Sequence, residues 1–146
     1  MIYLLICFER DHYWIEVNEK LTALRQIIMD ENLEVHISAR EDCLAEGKIV
    51  IHELQGVYKK ISKKQFENQW RLAIKPYLNQ WLSVKEKYPI GTKVEGICRY
   101  FYPQGAIIEG KDYFAVYEGK KEVLFNSILM AYVKRYDEDN LWLVLE

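Results

Sequence analysis

The chain has 146 residues, half of them apolar, and a formal net charge of -2. This length suits one domain or two small ones, each with a buried core. A charge so close to neutrality excludes a protein that binds nucleic acid through its overall positive charge, so only local charge patterns can indicate a partner.

The cysteines and the first eight residues of the chain indicate in which cellular compartment the protein works. Three cysteines, Cys7, Cys43 and Cys98, are odd in number and widely spaced, which argues against a disulfide framework and against a structural zinc site. The apolar residues 1–8 end at charged residues, are too short to span a membrane and lack the features of a signal peptide. We therefore interpret residues 1–8 as a buried strand and expect a cytoplasmic protein that does not insert into a membrane.

The first forty residues predict an antiparallel β-meander, because short apolar runs alternate with polar turns. The clearest hairpin joins residues 23–28 to residues 33–38 across a polar turn at 30–32. Charged residues lie among apolar neighbours in these strands at Glu16, Arg25 and Glu34. That alternation predicts a sheet with one packed face and one face in water.

The next firm element is a helix that begins after Ser62, where Ser62 and Gln65 form a capping-box pattern. An apolar stripe follows at steps of three and four residues, through Phe66, Trp70, Ala73, Tyr77, Trp81 and Val84. Pro76 removes one helical hydrogen bond, so we expect a kink or two helical pieces. Before the helix, residues 49–51 are interpreted as a further short strand.

Basic residues are concentrated in residues 59–87, which contain eight Lys and Arg against two Glu. Four of them are expected on one side of the helix: Lys60, Lys64, Arg71 and Lys75. Such a stripe could contact phosphates or an acidic partner. It could equally pair with the acidic residues that predominate in the first 58 positions, and the sequence leaves both readings open.

The last two fifths of the chain predict short strands joined by tight turns. Gly91 precedes a run in which every second residue is small or apolar, namely Val94, Gly96 and Cys98. Gly105 begins a second apolar run, and the polar residues 137–140 separate two further runs near the end of the chain. The pattern indicates an all-β region.

This region resembles the S1 domain, through Pro89-x-Gly91-x-x-Val94-x-Gly96-x-Cys98, Gly105-Ala106-Ile107-Ile108 and the closing hairpin around Asp137. The resemblance implies that residues 88–146 form a five-stranded OB-fold barrel that binds single-stranded RNA. S1 domains commonly place stacking aromatics just before and two residues after the glycine equivalent to Gly105. This chain has Gln104 and Ile107 at those positions.

The first part of the chain is similar to small uncharacterised bacterial domains at Glu16-Val17, at residues 24–27 and at Phe66-Glu67-x-x-Trp70. That similarity implies no function. The whole chain is therefore expected to be α+β. It would have a domain at 1–87 with an antiparallel β-meander and a helix, followed by an S1-like OB-fold barrel at 88–146.

The expected nucleic-acid contacts follow from the barrel. Strand parity predicts that Phe101 is buried and that Arg99, Tyr100 and Tyr102 are exposed, so the two tyrosines could stack on unpaired bases. Phosphate contacts would come from Lys134 and Arg135 just before the closing turn. Alternatively, the tyrosines simply pack on the barrel.

Two function classes remain open, and neither needs a metal or another cofactor. The first is a non-enzymatic protein that binds single-stranded RNA, and the second is a protein-interaction module, such as an immunity or inhibitor protein, that uses the barrel as a scaffold. A cysteine-based enzyme would need Cys43, a base at His36 or His52, and Asp42 as the orienting acid. Nothing in their spacing brings these residues together, and we expect no enzymatic activity.

Overall fold

The computed structural model describes all 146 residues. It contains ten strands and two α-helices, so the expected α+β class is confirmed. Contacts divide the chain into two compact units, Met1–Lys75 and Pro76–Glu146. None of the helices is both long enough and apolar enough to cross a membrane.

The first unit contains a five-stranded antiparallel sheet. Its strands are β1 (Ile2–Phe8), β2 (Asp11–Val17), β3 (Ala23–Met29), β4 (Val35–Ile37) and β5 (Val57–Ile61). Consecutive hairpins join β1 to β4, as the sequence predicted, and the strand order is β4-β3-β2-β1-β5. The fifth strand pairs with the remaining side of β1 and therefore forms one edge of the sheet.

Residues 49–51 do not form the strand that the sequence suggested. Thr22 and Lys48 make only an isolated bridge, and a short 3-10 helix occupies Ile51–Glu53. The strand lies further along, at β5, which begins directly after Gly56. Gly56 has φ +88°, and a Cβ there would lie 2.4 Å from the carbonyl oxygen of Cys7, so a larger residue would push β5 away from β1.

The helical region has the two predicted pieces. They are α1 (Lys63–Ile74) and α2 (Leu78–Lys87), separated by a 3-10 turn at Lys75–Tyr77 that contains Pro76. Both hydrogen bonds of the capping box are present between Ser62 and Gln65, at 2.8 and 3.1 Å. Lys60 was expected on the helix but lies in β5.

Both faces of the first sheet are covered, so the expected face in water is wrong for β1 to β3. On one face, Phe66 of α1 packs against Tyr3 with ring centroids 5.3 Å apart. On the other face, Gln26 accepts a hydrogen bond from the backbone N–H of Ala45 at 2.8 Å, and residues of the same segment are buried. Consequently Glu16 and Arg25 are only 8% and 5% exposed, whereas Glu34 remains exposed.

Arg25 is the centre of a buried ion network between the sheet and α1. Its Nε and Nη2 donate to the two carboxylate oxygens of Glu16, each at 2.8 Å, and its guanidinium also contacts Glu67 of α1. The guanidinium carbon lies 5.0 Å from the ring centroid of Phe66 and 5.2 Å from that of Trp70. Burial alone would lower the pKa of Arg25, but its bonds to Glu16 and Glu67 outweigh burial and raise the pKa.

The second unit contains a five-stranded ring. Its strands are β6 (Lys93–Tyr102), β7 (Gly105–Glu109), β8 (Phe114–Tyr117), β9 (Ile128–Asp137) and β10 (Trp142–Leu145). They close into a barrel in the order β10-β8-β7-β6-β9, with β10 antiparallel to β9 and parallel to β8. The predicted polar turn is present, because the carboxylate of Asp137 accepts the backbone N–H groups of Asp139 and Asn140, both at 3.0 Å.

Helix α2 belongs to the second unit, whereas the sequence assigned residues 78–87 to the first domain. Trp81 of α2 is buried, meets the ring of Tyr136 edge-on at 5.9 Å, and donates its indole N–H to Glu138 at 2.7 Å. Tyr136 in turn donates its hydroxyl to the backbone oxygen of Tyr88 at 2.9 Å. These contacts fix α2 to the β9–β10 hairpin.

Candidate interaction surface of the barrel

The two tyrosines predicted to stack on bases are packed among other aromatic rings. Tyr100 and Tyr102 have ring centroids 4.9 Å apart, and Tyr102 lies 6.2 Å from the buried ring of Trp142. Tyr102 is 9% exposed and Tyr100 is partly buried, whereas Phe101 is 55% exposed. The expected exposure of Tyr102 and burial of Phe101 are therefore wrong.

The physical reason lies in how β6 presents its side chains. Val94, Gly96 and Cys98 are buried, and burial of even-numbered positions continues to Tyr102 at the far end of the strand. The pairing of β6 with β7 shifts register between Cys98 and Tyr100, which leaves Arg99 as an extra residue in a bulge. The period of two continues across this bulge, so the alternation that begins at Val94 itself places Tyr102 inside and Phe101 outside, the reverse of the expectation.

The three predicted cations of the barrel are exposed, and each meets a carboxylate. Arg99 donates from Nε to Glu109 at 3.0 Å and from Nη1 to the side-chain oxygen of Asn126 at 3.2 Å. Arg135 pairs with Glu118, and the Lys134 ammonium lies 3.8 Å from another oxygen of Glu118. The predicted residues consequently do not form one aromatic, positively charged face.

Accessible barrel surface is concentrated at β6 and β9. The residues of β7, β8 and β10 are buried almost throughout, so these strands offer little exposed area. By contrast, β9 alternates strictly between buried and exposed residues over most of its length.

Large apolar side chains are exposed in this region among charged ones. Six large apolar side chains are exposed, and together they are called the β9 face: Phe101, Leu124, Phe125, Ile128, Met130 and Tyr132. Ile128 lies opposite Ile97 of β6, Met130 opposite Glu95, and Tyr132 opposite Lys93. The loop before β9 joins the same surface, because the N–H of Asn126 donates to the carbonyl of Cys98 at 2.7 Å.

A shallow groove of about 360 Å³ lies at one end of the β9 face. Ile97 and Ile128 are its apolar walls, and Arg99, Glu109 and Lys111 supply charges of both signs. Gly96 also lines the groove, and a larger residue would not fit there, because its Cβ would come within 2.5 Å of the Ile108 side chain. The groove can therefore accept an apolar group flanked by hydrogen-bonding atoms.

Sequence reasoning missed the β9 face. Residues 128–133 read Ile-Leu-Met-Ala-Tyr-Val, so both faces of the strand are apolar and period-two alternation cannot identify the outer one. The available signal was the excess of apolar residues itself. A strand of a small barrel with one wet face should carry polar residues at every second position, and this stretch carries none.

The four basic residues singled out in the sequence lie in the first unit. Lys60 is in β5, and Lys64 and Arg71 are exposed on α1 while Lys75 follows its end. None of the four takes part in an ion pair, so they do not pair internally with the acidic meander. Their charge is available to a partner.

One group of side chains has the composition of a metal site. Ligand atoms of Asp30, Glu34 and His36 lie within 4.8 Å of one another at the β3–β4 hairpin. His36 already bonds Asp30 through Nε2 at 3.0 Å and Glu41 through Nδ1 at 2.9 Å. A divalent cation would have to displace the first of these bonds.

Cys43 is poorly suited to act as a nucleophile. Burial, together with the nearby charges of Glu41 and Asp42, raises the pKa of its thiol to about 12. A thiol of that pKa stays protonated at neutral pH, and the thiolate is the reactive form. His36, one of its two proposed bases, is occupied by Asp30 and Glu41.

Comparison with known proteins gives no family for this chain: no protein-family model matches it, and no curated protein matches it.

Proposed function

We propose that the protein is a non-enzymatic interaction module whose barrel binds a protein partner through the β9 face. The observation that carries this proposal is the set of six exposed apolar side chains on that face. A concentration of exposed apolar side chains on a small domain is typical of a protein-protein contact. The partner would present an apolar surface of its own to Ile128 and Met130.

The strand order supports an S1-like OB-fold as the scaffold. If the barrel strands are numbered 1 to 5 from β6 to β10, strand 1 (β6) lies between strand 2 (β7) and strand 4 (β9). Strand 3 (β8) is parallel to strand 5 (β10). That arrangement supports an OB-fold, in line with the resemblance at Gly91, Gly96 and Gly105. The burial of β7 and β8 moves the binding surface of such a scaffold to β6 and β9.

Binding of single-stranded RNA is the second candidate, and it is favoured by three exposed aromatic rings beside two cations. Phe101, Phe125 and Tyr132 could stack on bases, while Lys93 and Arg99 contact phosphates. The ion pair of Arg99 with Glu109 is no obstacle, because exposed pairs contribute about 0–1 kcal/mol and exchange readily for a phosphate.

A pair of substitutions tests the first candidate. The double variant Ile128→Asp and Met130→Asp should lose partners captured from a lysate of the source cells, because it places two charges in the apolar contact. Leu72→Asp, which changes an exposed leucine of α1, is the matched control and should retain them. A photo-crosslinking residue at position 130 should label the same partner, with or without nuclease.

RNA titration separates the two candidates. If bases stack on the β9 face, Phe101→Ala and Tyr132→Ala should each weaken binding of a labelled mixed-sequence single-stranded RNA by about 1–3 kcal/mol at low salt. Tyr58→Ala removes an exposed aromatic outside the barrel and should have no effect. A dissociation constant above about 0.1 mM would exclude RNA as the ligand. Capture that depends on RNA, or that survives the Asp substitutions, would contradict the protein-interaction proposal.

A further inference from the structure

The edge strand β5 is unusual because both of its faces are open. Val57 is 76% and Tyr58 is 42% exposed, and Lys59 and Lys60 are exposed as well. Val57 lies opposite Cys7 and Tyr58 opposite Ile6, so these apolar side chains leave the strand on opposite faces. An edge strand also has one row of backbone N–H and C=O groups that no neighbouring strand pairs.

The geometry of β5 is that of a regular strand, able to accept another. It pairs with β1 through five consecutive residues without a register shift, and it contains neither proline nor a bulge. The opposite edge, β4, is only three residues long. Of the usual protections of an edge, β5 lacks short length, proline and a bulge and retains only lysines.

The charge around β5 selects the partner. Four exposed lysines lie within six residues of the chain, in β5 and the first turn of α1: Lys59, Lys60, Lys63 and Lys64. None of them forms an ion pair, whereas Lys134, Arg99 and Arg135 of the barrel all do. Lysines on an edge strand repel a second copy of the same strand and would be neutralised by carboxylates.

We propose that β5 is the docking edge for an extended acidic segment of a partner protein, which adds as a sixth strand of the first sheet. Its backbone pairs with the open edge of β5, its carboxylates meet Lys59 and Lys60 on the two faces, and its apolar residues cover Val57 and Tyr58. This surface is separate from the β9 face and does not depend on the function proposed for the barrel.

The test uses the whole protein and a labelled, blocked decapeptide in which pairs of Val alternate with pairs of Glu, so that the extended peptide presents both residue types on each face. Binding is followed by fluorescence anisotropy. The peptide should bind saturably and slow amide hydrogen exchange at residues 57–61. The double variant Lys59→Glu and Lys60→Glu should weaken binding at least about tenfold, because it sets carboxylate against carboxylate. Lys120→Glu with Lys121→Glu makes the same change of charge in an exposed loop and should leave the affinity unchanged.

Two further probes separate strand addition from simple attraction of anions. The same peptide, N-methylated at alternate backbone nitrogens, keeps its charge but cannot pair along one edge, and it should not bind. Equal binding of the methylated peptide, or no saturation of the parent peptide by about 1 mM, would overturn the proposal. An oligouridylate that binds tightly and loses affinity on Lys59→Glu and Lys60→Glu, while the peptide does not bind, would instead assign these lysines to nucleic acid.

Discussion

His36 shows how a single partly buried side chain can set a pH dependence. Its imidazole lies between Asp30 and Glu41, with Glu34 close by, and bonds to the first two raise its pKa above the ordinary 6.5. The bond from His36 lowers the pKa of Asp30. The bond between His36 and Asp30 that causes both shifts stabilises the β3–β4 hairpin when the carboxylate is ionised and the imidazole is protonated.

The directions of the two pKa shifts determine how the free energy of unfolding depends on pH. The contribution of His36 is fully present below its unfolded pKa near 6.5 and is lost as pH rises through the raised folded pKa. The contribution of Asp30 is present above its unfolded pKa and is lost as pH falls through the lowered folded value.

We therefore expect an NMR titration to give His36 a pKa above 6.5. Asp30→Asn should bring that pKa down, because it removes the strongest bond to the imidazole. The free energy of unfolding should fall on the alkaline side of this pKa in the wild-type protein, and His36→Gln should abolish that part of the pH dependence. A His36 pKa at or below 6.5 would contradict the geometry.

At the scale of elements, α1 is held to the sheet by apolar packing and by the network of Arg25. Breaking a buried ion pair from one side leaves the other charge uncompensated, which typically costs about 3–5 kcal/mol. Arg25→Met should therefore lower the free energy of unfolding by about that amount. Arg71→Met, at an exposed position of α1 without an ion pair, should change it by less than about 0.5 kcal/mol.

A second substitution, at Glu16, shows whether lost charge pairing or lost packing causes the loss of stability. Adding Glu16→Gln to Arg25→Met removes the stranded carboxylate, so it should restore part of the lost stability in denaturant unfolding. If the double variant is less stable than Arg25→Met alone, the loss comes from missing packing against Phe66 and Trp70 rather than from charge.

Local patterns explain which elements could be predicted. The capping residues of α1, its apolar stripe and the turn at Asp137 each depend on neighbours within a few positions, so the sequence displays them directly. Glu16 and Arg25 looked solvated because each is charged. They are buried because they lie directly opposite each other on β2 and β3 and neutralise one another, which only the strand register reveals.

Long-range features account for what could not be predicted. The strand β5 reads Val-Tyr-Lys-Lys-Ile, and no period in these five residues shows that it pairs with β1. The candidate barrel surface depended on the burial of β7, β8 and β10, which follows from the closure of the ring. Arg99, Lys134 and Arg135 are exposed, as expected. Their carboxylate partners could not be predicted, because they come from other strands and loops.

At the scale of the whole molecule, the chain consists of two units with separate cores, and the place of α2 decides where the second begins. A fragment of residues 76–146 should unfold cooperatively in thermal denaturation. The shorter fragment 88–146 should be less stable by at least about 3–5 kcal/mol, the usual cost of losing a buried tryptophan. Trp81→Ala in the longer fragment is the matched control and should reproduce much of the loss, because Trp81 contacts Tyr136 and Glu138.

Equal stability of the two fragments would support a boundary at residue 87, as the sequence suggested, and would make α2 a linker. The buried indole of Trp81 and its bond to Glu138 favour the other outcome.

The parallel pairing of β8 with β10 has a consequence for the order of events during synthesis. The first sheet is built from consecutive hairpins, with β5 added later, so most of its contacts can form as soon as each strand leaves the ribosome. The barrel cannot close in that way, because β9 and β8 are joined only through Trp142–Leu145. Until those four residues emerge, the nascent barrel is an open ribbon with an apolar interior, and it is then that a chaperone would have most to bind.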